Sequence, residues 1–560
     1  MKYRDLGNVH NEMDDDSKED EEWVSNIVIM GVSMLLLALV TIAVVANVGD
    51  SKNVAAMKNL NSVCAKTEAP ESCLHVLKRV GETATAVDYA KAALNATLKE
   101  LSLVNMQKPY LEKILTPLQA QSYRDCLELL NMGKDELESL YKLANSSIED
   151  IFQIYPDDVM NSLSAIISYQ QTCVNELVRT NSYEILAYSL KIPILLTRIT
   201  LAIVYNFVER PKIEVQQLDG FQRLNLRAAH KLIEVQHTRI VVAQDGSGQF
   251  STITESLNYC AKNRNNSCVI YVTKGKYEEK VAVPKNLDQV LMYGDGPMKT
   301  IVTGIKSIDP KVTTPFRSAT FVVKGKRFIC KDMGFTAPAS VPGASALLVL
   351  SDHAAFFSCK IDGGEGSLYA VAQRQFYRDC EIHGSVDIIK GDSATIIQNS
   401  QIIVKHRNSS SLALRKNVVS VQSRLDKYEK TGLVIQNCTI IAEQGKINDK
   451  SLVGSTCLGT PRDQYSRTII MESFLGDVVR PKGWCKFSDN YGIDTATFRE
   501  YNNRGPGARN DMRVHWESYR TNSQNWKSEM MSFTAAEFIQ ANQWLTNTGI
   551  PYESGFFFHK

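Results

Sequence analysis

The sequence predicts three parts in series: an N-terminal transmembrane helix, an all-α four-helix bundle and an all-β parallel β-helix. Three observations carry this expectation. They are a 20-residue apolar run at Ile27–Ala46, apolar residues at helical spacing from about 55 to 205, and short self-similar β-branched segments after about 237. The 560 residues are 44% hydrophobic and 22% charged, which excludes disordered, collagenous and coiled-coil classes. The first 22 residues carry nine acids and three bases, a net −6 against +2 for the whole chain, which leaves +8 on the remainder. No Lys/Arg block dominates any segment, so no nucleic acid is expected as a partner. A mildly basic body fits an anionic polymer.

At 1.5 Å per residue the apolar run is about 30 Å long, enough to cross a bilayer core. A secretory signal core is usually about 7–15 residues with a basic flank. This run is longer and its flank, Glu12 to Glu22, is acidic. The expectation is a signal anchor over 24–48 behind an acidic cytosolic tail, 1–23, with cleavage after Ala46 as the alternative. Membrane contact would run through residues 27–46. Lysines lie on both sides of the run, so the positive-inside rule leaves orientation open. Glycosylation tripeptides at Asn95, Asn145, Asn265, Asn408 and Asn437 all follow the run and favour a luminal or extracellular body. Twelve cysteines fit that oxidising compartment. No Cys-x-x-Cys occurs, so no metal site is expected.

Residues 55–205 read as an up-and-down bundle. Val76, Val80, Val87, Ala90 and Leu94 recur at near-helical spacing, as do Leu127, Leu130, Leu137, Leu140 and Leu143. Cys64, Cys73, Cys126 and Cys173 are disulfide candidates; Cys64–Cys73 and Cys126–Cys173 would staple the bundle, though spacing leaves the pairing open. Residues 206–236, with Pro211 and Gly220, read as a linker. From 237 to 560 the texture is β. Phe356-Phe-Ser-Cys-Lys-Ile361, Tyr377-Arg-Asp-Cys-Glu-Ile382, Ile397-Gln-Asn-Ser-Gln-Ile402 and Ile435-Gln-Asn-Cys-Thr-Ile440 resemble one another. Their closing isoleucines step by 21, 20 and 38 residues: two solenoid turns, then one carrying an insertion. Cys359, Cys380 and Cys438 share one coil position and read as small core residues.

Several ordered motifs now resemble the plant pectin methylesterases (pectinesterases). They include Val241-Val-Ala-Gln-Asp-Gly-Ser-Gly-Gln-Phe-Ser-Thr-Ile253, Gly294-Asp-Gly-Pro-Met-Lys-Thr300, Phe316-Arg-Ser-Ala-Thr320, Arg374-Gln-Phe-Tyr-Arg-Asp-Cys380 and Gly476-Asp-Val-Val-Arg-Pro481. The helical part, with its four cysteines and Ser162-Leu-Ser-Ala-Ile166, resembles the pectinesterase-inhibitor domain that precedes many of these enzymes. The resemblance implies a right-handed β-helix, hydrolysis of methyl esters of homogalacturonan, and location in the secretory pathway or cell wall. Pectin is the implied partner, with other pectinesterases a second one through the helical part. No metal or organic cofactor is implied.

The chemistry needs a nucleophile, an acid for the departing methanol and donors for the oxyanion. The resemblance places the aspartate nucleophile at Asp387, within Val386-Asp-Ile-Ile-Lys390, where the family prefers aromatics at 388 and 390. It places the family acid at Gly366 and an oxyanion glutamine at Glu365, within Gly364-Glu-Gly-Ser-Leu-Tyr369. The second glutamine position is Gly343. The positioning arginine is Thr460, the sugar-contacting tryptophan is Arg462, and a substrate threonine is Pro315. Losing a general acid costs about 10²–10⁴ in rate and one oxyanion donor about 10²–10³. The expectation is therefore a family member with weak or absent activity, the alternative being a non-enzymatic pectin-binding or pectinesterase-regulating protein. Asp387 has a structural alternative as a hydrogen-bonded carboxylate, and Asp379 reads as structural. Lys390, Lys405, His406 and Arg407 suit either polygalacturonate or a solvated basic face.

Overall fold

The computed structural model describes residues 60–81, 84–105, 115–144, 155–207, 239–263, 268–304, 309, 311–337, 343–364, 366–406, 416–444, 451–488, 490–520 and 526–557. The expected anchor, nearly all of the expected linker, Asn145, Asn265, Asn408, Glu365 and Arg407 lie outside them. Two compact units divide the chain. One is Met1–Ser62 with Gly81–Thr83, of which only residues 60–62 and 81 are described; the other, Val63–Val80 with Ala84–Lys560, holds everything that follows.

Five helices open this large unit: α1 (Pro70–Leu77), α2 (Ala86–Asn105), α3 (Pro117–Ala144), α4 (Pro156–Arg179) and α5 (Tyr183–Phe207). Their starts are written locally. Thr85 and Asp88 exchange hydrogen bonds ahead of α2, and Thr116 and Gln119 do so at the head of α3, so each forms a capping box. Proline stands in the first turn of α4, where its missing N–H is harmless. α3 packs along α4 and α2 along α5. The α3 stripe Leu127, Leu130, Leu137 and Leu140 is buried as its spacing implies, but Leu143 is 51% exposed at the end of the stripe. Cys64 bonds to Cys73 and Cys126 to Cys173. Within α5, Ser189–Asn206 is long and apolar enough to cross a membrane, with a mean hydropathy of 1.2, yet 56% of it is buried, as a core helix would be.

The β part winds through three sheets in rotation. Leu347–Val349, Ala354–Phe357 and Lys360–Gly364 make one coil; Leu368–Ala370, Arg374–Arg378 and Glu381–Gly384 make the next. Every pairing between coils is parallel, giving sheets of seven, eleven and eight strands among the described residues. Ile361, Ile382, Ile402 and Ile440 are lateral partners. The 38-residue step is thus a single coil whose extra length lies outside the strands. Alternate strand residues point inward and close the core. There Phe356 and Tyr377 stack at 5.0 Å. Cys359, Cys380 and Cys438 are buried with free thiols, and Cys330 joins them.

Each coil turns one corner on a residue in the left-handed region: Asp332, Ser358, Asp379, Asn399, Asn437 and Glu472 have φ of 50–56°. Asparagine and aspartate tolerate this better than other side chains with a Cβ. Asn437 Nδ2 donates to Asn399 Oδ1 (3.1 Å), and Asn399 Nδ2 to Asp379 Oδ1 (2.5 Å), so these side chains form a ladder. Two further disulfides, Cys260–Cys268 and Cys457–Cys485, lie in the β part. The C-terminal segment lays Trp526, Met530, Phe533 and Phe538 over Phe376, Ile396, Val434 and Ile469 of the eleven-stranded sheet.

Candidate functional site

The seven-stranded sheet carries the candidate residues. Its inward positions Phe321, Leu347, Leu368 and Ile389, beside one another in register, belong to the core. Because side chains alternate, the row Val322, Leu348, Tyr369, Lys390, Val421 and Thr460 faces the other way, each residue beside the next in register. Asp387 sits in the turn just before Ile389–Gly391, with φ 52°. Gly366 and Gly343 precede the strands of the two preceding coils.

These positions converge on Lys390. Its ammonium donates to the Gly343 carbonyl at 3.2 Å and lies 4.9 Å from the centre of the Tyr369 ring. A Cβ at Gly366 would meet Nζ at 3.4 Å. The cation thus stands where a side chain at 366 would project. Burial pushes Lys390 down to about 8; the nearby Arg179 charge adds to this, while Asp387 and Glu176 oppose it. Burial likewise raises the Tyr369 phenol, and the Glu176 charge adds to the rise. Thr460 lies two strands from Lys390, roughly 10 Å at the usual strand spacing. Its hydroxyl is buried with no hydrogen-bond partner among the described residues. Arg462 lies over the Phe487 ring at 5.9 Å. Pro315 is less central; its neighbour Phe316 meets Tyr369 edge-on at 6.5 Å. Lys405 pairs instead with Asp362 at 2.9 Å and His406 lies near Ser451, so neither is held by the groups around Lys390, and Arg407 lies outside the described residues.

Sequence reasoning missed what covers this sheet. α4 lies on it. Asn161 Nδ2 donates to Gln373 Oε1 (2.8 Å), Lys430 N to Ser164 Oγ (2.9 Å), and Tyr169 Oη to the Leu350 carbonyl (3.1 Å). Ser168 Oγ donates to Asp392, reaching its carbonyl at 2.8 Å and Oδ2 at 2.9 Å. Arg374 bridges Asp158 of α4 (2.7 Å) and Asp352 of the β-helix (2.8 Å). Farther along α4, the charges of Glu176 and Arg179 act on Lys390. A signal for this face existed. Asn161, Ser164, Ser168 and Thr172 are small polar residues at three- and four-residue steps, forming one stripe along the helix.

Asp392 is a pH-sensitive point of this contact. Thr431 Oγ1 (2.6 Å) and Gln422 Nε2 (3.0 Å) also donate to it, and Glu429, Arg424, Asp463 and Arg467 are charged neighbours. Burial raises Asp392 to about 6 and pushes Glu429 up as well. A raised carboxyl contributes stability in full below its unfolded value near 3.8, and that contribution is lost as pH rises through about 6. Asp392→Asn mimics the protonated form. It is expected to leave the urea midpoint unchanged at pH 3 and to raise stability by roughly 3 kcal/mol at pH 7.5, relative to the native chain. An equal effect at both pH values would refute this linkage.

The fold defines a parallel β-helix protein with a helical bundle laid on its seven-stranded sheet. The chain belongs to the pectinesterase family. The family model "Pectinesterase" matches residues 239–542, and "Plant invertase/pectin methylesterase inhibitor" matches 58–203. Among Arabidopsis thaliana relatives, putative pectinesterase/pectinesterase inhibitor 28 is 33% identical over 97% of this chain and 76% of its own length. Probable pectinesterase/pectinesterase inhibitor 21 is 34% identical over 97% of this chain and 84% of its own. A solved pectin methylesterase from carrot superposes with a TM-score of 0.52 at 35% identity, covering 57% of this chain and 98% of that one.

Proposed function

We propose that this chain binds homogalacturonan in the cell wall or secretory pathway and hydrolyses its methyl esters weakly or not at all. The observation that carries this is Lys390. If Gly366 is the family acid position, the acid is absent and an ammonium fills its space. An ammonium held there donates hydrogen bonds and attracts carboxylates, but it cannot act as the carboxylate base of the second half-reaction. Asp387 keeps the nucleophile position, while Gly343, Thr460 and Glu365 replace the donors expected around it. The four disulfides fit an oxidising compartment, and an anchor at 24–48 would hold the protein at a membrane.

A second reading, regulation of pectinesterases by the helical bundle, draws on α4. That helix already lies on the chain's own sheet, so the bundle would have to leave it before acting on another enzyme.

Methanol release from highly methylated pectin tests the first reading. The native chain and an Asp158→Asn form, which loosens the α4 contact, would run beside an ordinary pectin methylesterase. Both are expected to release methanol at least about a hundredfold more slowly than that enzyme. Release within tenfold of it, abolished by Asp387→Asn, would overturn the proposal.

A further inference from the structure

The first two strands of the seven-stranded sheet, Val281–Val283 and Phe321–Val323, are bracketed by cations. Lys280 and Lys285 flank one, and Arg317 and Lys324 flank the other. The crowding is physical: burial pushes Lys280 down to about 8, and the Arg317 and Lys324 charges add to the fall. The counter-ions come from α3. Arg317 bonds Asp125 (2.6 Å) and Glu128 (2.7 Å), Lys324 bonds Glu128, and Lys285 bonds Asp135. One turn away Lys326 meets Glu136 at 2.7 Å. The polarity is consistent at this end, with bundle carboxylates against β-helix cations. The reverse pair, Arg198 with Asp426, lies several coils away.

Asp125 is fully buried and leaves only with α3, whereas three features make the outer part of this contact exchangeable. A cavity of about 720 Å³ opens along the seam, lined by Glu128, Lys285, Arg317 and Lys324 among others. The Lys285–Asp135 pair is half exposed on both sides, where an ion pair contributes about 0–1 kcal/mol. The cations outlast any loss of the bundle, because they belong to the sheet itself. They also lie on the sheet that carries Lys390, three to four strand steps away, roughly 14–19 Å along the axis. A linear polymer lying along the sheet would reach both once α4 is lifted from it.

The geometry points to a binding subsite for de-esterified polyuronate at Lys280, Lys285, Arg317 and Lys324, held closed by the α3 carboxylates Asp125, Glu128 and Asp135, which imitate that ligand. This rests on the reading of the chain as a homogalacturonan binder and specifies the form bound. Methyl esters carry no charge and give these cations no counter-ion, whereas free uronates give one per sugar. Polyuronate and α3 compete for the same cations, so weakening α3's hold strengthens polymer binding.

Equilibrium binding to the full chain at one fixed low ionic strength tests this, with polygalacturonic acid, highly methylated pectin and polyglutamate as probes. Glu128→Gln/Asp135→Asn is expected to tighten polygalacturonic acid binding roughly three- to tenfold, and Lys285→Gln/Lys324→Gln to weaken it by a similar factor. Asp494→Asn/Asp511→Asn, the same charge change at the far end of the stack, is expected to stay within about twofold. A misfolded protein cannot mimic the gain. No gain, a gain matched by the far-end variant, or equal binding of polyglutamate would overturn the assignment. If methylated pectin binds while these variants leave polygalacturonic acid unaffected, this inference alone fails. If neither pectin polymer binds any form, the homogalacturonan reading fails with it.

Discussion

Arg374→Ala is expected to cost about 3–5 kcal/mol and to lift α4 from the sheet. Arg374 is 5% exposed and holds both oxygens of Asp352, at 3.0 and 2.8 Å, while its third nitrogen reaches Asp158 at 2.7 Å and Gln540 at 3.2 Å. Burial alone would raise the Asp352 carboxyl; the guanidinium overrides this and holds it well below the usual carboxylate range. Removing the arginine strands a buried charge, and that stranded charge, more than the lost bond, sets the cost. Arg374→Lys would restore the charge without the planar fork and recover only part of the loss. Urea unfolding gives the magnitude, and amide exchange along α4 reports release. A loss under about 1 kcal/mol, or unchanged exchange in α4, would show that Arg374 does not anchor the bundle.

Gly391→Ala is expected to abolish folding, at a cost above about 4 kcal/mol. Gly391 has φ 130°, and a Cβ there would lie 1.9 Å from the Ala370 carbonyl oxygen, a backbone atom locked in the neighbouring strand. Nothing flexible can move aside. Gly343→Ala is the contrasting case. Its φ is 73° and nothing among the described residues lies within 4 Å of the added carbon, so the cost is that of the left-handed backbone, about 1–2 kcal/mol. Soluble expression and circular dichroism separate the two. A folded Gly391→Ala chain would mean that the strands can part by more than an ångström without losing the stack.

The solenoid was legible because its repeat is local. Inward isoleucines recur where each coil closes, and the 38-residue step differs only in residues outside the ladder. The helices were legible for the same reason, since apolar stripes and Thr-x-x-Asp or Thr-x-x-Gln starts are written within a few residues. What escaped depends on distant parts of the chain meeting. Cys260–Cys268 and Cys457–Cys485 carried no pattern that set them apart from the free core thiols. The seating of α4 joins residues more than 200 positions apart, such as Ser168 and Asp392. At the candidate site, resemblance located Gly366 and Asp387. That Lys390 turns its ammonium toward 366 depends on a side-chain path across two coils, which a sequence does not state.

The corner ladder has a consequence for how such a protein changes over generations. Asp379, Asn399 and Asn437 hold the phase of successive coils from outside the cleft, and the inward column holds it from within. Gly343, Gly366, Lys390 and Thr460 are distributed one to a coil and belong to neither. Substitutions at these positions can therefore be made one coil at a time with the corner ladder and the inward column left in place. Shape and surface chemistry are specified by separate residues in this architecture, so the outward row can vary while the stack that carries it is kept.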